Sequence, residues 1–208
     1  MTRRWAAILL VSALAAFAAL AAATAQSAEG GLIGTGAASG CDTAASHPFE
    51  AWGDNANYLL VPGGSFEAGQ PAWKLGLGAY IGPGNEPFHT EGSGNRSLYL
   101  LPGGTATSPT ACFKLGDWHA RFFVRGIGLR GGRLEVDVVV KSLLGGLLTV
   151  LDGGAVSPSG EWRPSPRIGM LLCNVTSLLG TKAVSLRFRA VNAAFQIDDV
   201  YIDPWKDF

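Results

Sequence analysis

Residues Phe195–Trp205 read FQIDDVYIDPW. Phe195, Ile197, Val200 and Ile202 alternate with Gln196, Asp198, Asp199, Tyr201 and Asp203, the two-residue period of a half-buried strand. The phase slips at Asp198-Asp199, where two carboxylates are adjacent. A slip of this kind signals a bulge, or a point at which one carboxylate turns toward a cation. Working backward, the same alternation recurs over 118–126, 133–140 and 183–191. Shorter apolar runs lie at 57–67, 73–81, 97–101, 110–115 and 147–151, separated by Pro-Gly-Gly and similar turn signals. Only Ile168–Leu179 could form a turn or two of helix. The reading is one all-β domain, a two-sheet antiparallel β-sandwich of jelly-roll type, with its first and last strands side by side.

The N-terminal segment has a different character. Arg3 and Arg4 precede an Ala/Leu-rich apolar run over Trp5–Ala23, and Ala23-Thr24-Ala25 is a small-x-small cleavage site. This is the pattern of a secretory signal peptide over residues 1–25. Residues 26–46 are small, polar and glycine-rich, the composition of a flexible leader. The sandwich domain is assigned to 47–208. Taking away Arg3 and Arg4 leaves 14 basic against 16 acidic side chains. No basic-aromatic tract points to nucleic acid, and no second long apolar run points to a membrane. The expected product is a secreted monomer.

There are three cysteines. An exported chain favours one disulfide and one free thiol. Cys173 follows Met170-Leu171-Leu172 and reads as a buried small hydrophobe. Cys41 lies in the leader, where a staple constrains most, so Cys41 is paired with Cys112.

Signals for catalysis are few. His47, His89 and His119 are widely spaced, and neither HExxH, CxxC nor GxSxG occurs. A carboxylate pair for glycoside hydrolysis needs only two distant acids and leaves no local motif. Charges fall opposite the apolar stripes: Arg121 and Arg125, Glu135 and Asp137, Arg187 and Arg189. Across neighbouring strands these would form ion-pair ladders. As a ligand face, they would offer Arg121, Arg125 and Arg187 around a Phe123 platform. Trp52, Tyr58, Trp73, Tyr80, Phe88, Tyr99, Trp162 and Trp205 are the aromatic residues suited to stacking on a sugar. Most read as core or sheet-edge packing, and Phe88 and Trp162, which lie in loops, are favoured for exposure. Trp162 joins the ligand-binding candidates.

GGSFEAG at Gly63–Gly69, Trp73 shortly after it, and FQIDDVYID at Phe195–Asp203 resemble the two ends of a galactose-binding-like jelly-roll carbohydrate-binding module, of the cellulose- and xylan-binding type. The longer stretch from Cys41 to Trp205 resembles small secreted proteins of actinobacterial type. In these, a cysteine before a segment like Ala51-Trp52-Gly53-Asp54 goes with a second cysteine after Thr107-Ser108-Pro109. The resemblance to the modules implies a non-catalytic role and a structural calcium ion held by Glu67 and Asp199. Three functions follow as expectations: a binding module for extracellular or cell-wall carbohydrate, a structural or protein-interaction sandwich, and a small carboxylate hydrolase. An open sheet face bearing aromatic rings favours the first. A face closed by charge ladders favours the second, and two acids converging in a pocket favour the third.

Overall fold

The computed structural model describes residues 45–113, 119–128, 131–141, 148–157, 159–170 and 182–203; of strand residues 112, 113, 141, 148, 149, 182 and 183, only the backbone is described. Two antiparallel sheets enclose one apolar core. The first sheet runs β10 (Arg163–Pro164), β7 (His119–Ile127), β13 (Ala194–Ile202), β4 (Arg96–Leu100), β3 (Ala79–Pro83). In the same sheet, β1 (Leu59–Leu60) pairs with β13, and β11 (Ile168–Gly169) pairs with β7. The second runs β2 (Lys74–Leu75), β5 (Thr105–Thr107), β12 (Lys182–Val191), β8 (Arg133–Lys141), β9 (Leu148–Val156), with β6 (Ala111–Phe113) also on β12. This is a jelly-roll sandwich, and its ends meet as expected: Leu59 lies opposite Ile202.

The alternating runs explain the core. Phe122 and Val124, Leu98 and Leu100, Phe195 and Ile197 face inward from the first sheet. Val136, Val138, Leu186 and Phe188 meet them from the second. Phe122 and Phe188 touch edge to face at 5.0 Å, joining the sheets.

Several local readings are corrected. The run 73–81, read as one strand interrupted by glycines, is two strands in different sheets. The chain crosses between them at Gly76–Gly78, where a Cβ on Gly76 would stand 2.2 Å from Thr105 Oγ1 and Gly78 has φ +78°. Ile168 and Gly169 pair with Ala120 and His119, so the proposed helical turn begins as strand; 171–179 lie outside the described residues. The short strands β5, β10 and β11 carry too few residues to show a period. Ser46, placed in the leader, already pairs with Tyr58. The signal peptide, the rest of the leader up to 44, Cys41 and Cys173 lie outside the described residues, as does the Cys112 side chain; the Cys41–Cys112 pairing falls there.

The opening stretch differs in one respect. A half-buried strand should leave Gln196, Asp198 and Tyr201 open to water. All three are completely buried, because β13 is central and other segments cross its outer face. The slip is a bulge: the register against β7 shifts between Asp198 and Tyr201, and Asp199 has φ +43°.

Candidate functional site

The outer face of the first sheet is divided into a covered half and an open half. The division follows from where the segment before β1 and the loop 84–95 between β3 and β4 lie.

Over the covered half, Phe123 is completely buried beneath Phe49, Trp52 and Phe88, with ring centroids 5.3, 5.4 and 5.3 Å away. Arg121 is buried beside it. Its Nη1 donates to Asp54 Oδ2 at 2.5 Å, and Nε and Nη2 both donate to the Ser165 carbonyl. Its guanidinium lies 4.3 Å from the Phe49 ring centroid. Asp54 also accepts from Arg167 Nη2 at 2.5 Å and from the Tyr58 hydroxyl at 2.8 Å. Burial pushes the Asp54 carboxyl up, but hydrogen bonds from Arg167, Tyr58 and Arg121 outweigh it and hold the group well below the usual carboxylate range. Arg121 and Phe123 therefore fasten the N-terminal segment to the sheet, and neither reaches solvent as a ligand platform would.

The loop 84–95 is held by carboxylates. Glu86 N donates to Asp198 Oδ2 at 3.0 Å. Phe88 N and Thr90 N donate to the Glu86 carboxylate. Thr90 Oγ1 donates to Asp199 Oδ2 at 2.7 Å, and the Tyr201 hydroxyl to Glu91 Oε1 at 2.7 Å. Glu86, Asp198 and Asp199 are at most 2% exposed. Adjacent strand residues would normally point to opposite faces, but the bulge turns both aspartates onto this loop. Burial, then the neighbouring Asp199 charge, pushes Asp198 up to about 9. Burial pushes Asp199 up to about 7; the Thr90 hydrogen bond opposes it, and the Glu86 and Glu91 charges add to the rise.

Glu67 works elsewhere on the same loop, accepting from Asn95 N at 2.8 Å and Arg96 N at 2.9 Å through one oxygen. Calcium asks for several oxygens converging on one ion. Here Glu67 and Asp199 serve separate partners. Among the described residues no group of three or more His, Cys, Asp or Glu side chains is placed to hold a metal. The two side chains as they stand do not make a calcium cage.

The open half is a transverse row. Tyr80 lies opposite Tyr99, Tyr99 opposite Gln196, and Gln196 opposite Arg125. Antiparallel pairing of β10 with β7 brings Trp162 to the end of the row, where the Arg125 guanidinium is 5.3 Å from its ring centroid. The row crosses five strands, about 19 Å at ordinary strand spacing. Tyr80 and Tyr99 stack face to face, centroids 4.9 Å apart and planes 4° from parallel, with Tyr80 46% exposed. Tyr99 is fixed by donating its hydroxyl to the Pro83 carbonyl at 2.6 Å. Gln196 is completely buried; it donates to Ser97 Oγ at 2.6 Å and accepts from Arg125 Nε at 2.7 Å. Gly84 permits this: with φ +122°, its Cβ would stand 2.7 Å from Gln196 Nε2. Leu101 and Ile127, both exposed, flank the row beyond Ala194.

Of the sequence-derived ligand residues, Arg125 and Trp162 come together here. Arg187 lies on the opposite sheet, where its Nη2 meets Asp137 Oδ2 at 2.6 Å. Arg189 pairs with Glu135 beside it, so the expected ladder exists, confined to β8 and β12. Tyr80 and Tyr99 stood among the sugar-stacking aromatic residues without being singled out. Their parity with Ser97 on the polar side of β4 was the available signal.

No protein-family model matches the sequence, and no curated protein does. Solved structures do. The xylan-binding CBM22-1 domain of Paenibacillus barcinonensis Xyn10C is 14% identical, with a TM-score of 0.51 over 74% of this chain and 97% of that one. The CBM22-1–CBM22-2 tandem of the same enzyme is 15% identical, with a TM-score of 0.51 over 73% of this chain and 46% of that one. At such identities the likeness speaks to architecture alone: the protein shares the jelly-roll β-sandwich fold of these domains.

Proposed function

We propose that the protein is a non-catalytic carbohydrate-binding module, exported by its N-terminal signal peptide, that holds a glycan chain along the row from Tyr80 to Trp162. The observation that carries this is the stacked, half-open tyrosine pair in line with Arg125 and Trp162, on the half of that sheet face away from the N-terminal segment and the bulk of loop 84–95 among the described residues. Ring faces suit the apolar faces of pyranoses, and the buried Gln196 keeps Arg125 in place without solvent. The fold supports the same reading. The charge ladder that would favour a purely structural sandwich lies on the other sheet. The acids that do converge, Glu86, Asp198 and Asp199, are buried away from water, which speaks against their acting on a glycosidic bond. The test is retention on insoluble and soluble polysaccharides, run with the unaltered chain and with Tyr80→Ala and Tyr99→Ala. Binding that the tyrosine variants weaken supports the proposal; absence of binding to every polysaccharide defeats it.

A further inference from the structure

Arg121, Arg133, Arg167, Arg187 and Arg189 each meet a carboxylate. Arg125 does not, although it stands in the middle of the open row; among the described residues its hydrogen bond is to neutral Gln196 and its remaining contact is the Trp162 ring. Glu161, exposed and one residue before Trp162, forms no ion pair with it. Asp198 and Asp199 are buried under the loop 84–95 and Glu86 is buried within it, while the exposed Glu91 accepts from the Tyr201 hydroxyl over the covered half. Among the described residues, the row therefore presents a fixed cation with no carboxylate paired to it. Nε is occupied by Gln196, and the side chain is steadied by Trp162, so the Nη1–Nη2 edge is left for a ligand. That edge matches the two oxygens of a carboxylate, and a charge-assisted pair of this geometry is stronger and more directional than a hydroxyl contact.

Resting on the carbohydrate-binding reading, we infer that the glycan is acidic: a uronic-acid polysaccharide whose sugar rings stack at Tyr80–Tyr99 and whose carboxylate docks on Arg125. The probes are polygalacturonate and alginate, each compared with its own carboxyl-reduced form, by affinity electrophoresis and calorimetry. The unaltered chain is expected to bind at least one uronate roughly ten- to hundredfold more tightly than its reduced form, the range that a hydrogen bond to a charged group supplies. Added salt is expected to erode that preference. Arg125→Gln should bring the ratio to about one, while Arg125→Lys, which keeps the charge but loses the fork, should leave it intermediate. Arg189→Gln removes a cation from the opposite sheet and should leave the ratio as it was. An equal affinity for acidic and reduced polymers, or a preference that survives Arg125→Gln, overturns the inference. Binding only to neutral polysaccharides overturns it while leaving the sheet-face reading intact. Binding to nothing overturns both.

Discussion

Replacing Asp199 with asparagine should make the protein more stable at pH 8 and no more stable at pH 4.5. Asp199 is buried, faces the Glu86 and Glu91 charges, and is raised from 3.8 to about 7. A carboxyl with a raised folded-state pKa holds its proton in the folded chain over a range in which the unfolded chain has lost it. Stability is then fully present below about pH 4 and falls as pH rises through about 7. Asp198, raised to about 9, extends the loss in the same direction. A rise from 3.8 to about 7 corresponds to roughly 4 kcal/mol by pH 8. Asp199 shares its field with Asp198 and Glu86, so we assign half of this, about 2 kcal/mol, to the single substitution. Asparagine suits the site sterically: it tolerates the positive φ of +43°, and the Thr90 hydroxyl can turn to meet its amide. For a domain of this size the gain is about 4–8 °C in the melting midpoint. The assay is calorimetric melting at half-unit steps from pH 4.5 to 8.5. A midpoint in the unaltered protein that stays level or climbs toward pH 8.5 would refute the reasoning, as would an Asp199→Asn midpoint lower at pH 8.

Asp54→Ala leaves Arg121 buried without its partner and strips Tyr58 and Arg167 of theirs, and should cost about 3–5 kcal/mol in urea unfolding. Gly63→Ala combines a positive φ of +69° with a Cβ that would stand 2.1 Å from the Pro71 carbonyl oxygen, and should cost about 2–4 kcal/mol in the same measurement. Tyr80→Ala, at an exposed position, should move the melting midpoint by no more than about 2 °C while weakening glycan retention. Calcium at 1–5 mM should shift the midpoint by about 1 °C or less, since Glu67 and Asp199 serve separate partners; a clear rise that Asp199→Ala abolishes would restore calcium to this site.

The sandwich was legible because β7, β8, β12 and β13 are each long enough to show a two-residue period, and the Asp198-Asp199 slip marked the bulge. The switch between sheets at Gly76–Gly78 was not legible: two residues of strand on one side and five on the other look like a single run. The state of the outer sheet face was also hidden. Alternation distinguishes the two faces of a strand, but it does not say whether a distant loop lies over the polar one. Hence Arg121, Phe123 and Arg125, identical in pattern, divide into a buried pair and an open residue once Phe49, Trp52 and Phe88 are placed. Asp54, the hub of that covering segment, sits in a short loop with no periodicity to mark it. Trp162 was found because its loop setting pointed to exposure, whereas Tyr80 and Tyr99 looked like ordinary strand residues until pairing set them ring against ring.

Affinity electrophoresis through gels cast with single polysaccharides tests the central claim most directly, comparing the unaltered chain with Tyr80→Ala and Trp162→Ala. The account predicts that at least one polysaccharide retards the unaltered chain and that both substitutions release it, with melting midpoints essentially preserved. Retardation unchanged by either substitution, or no retardation in any gel, would contradict it.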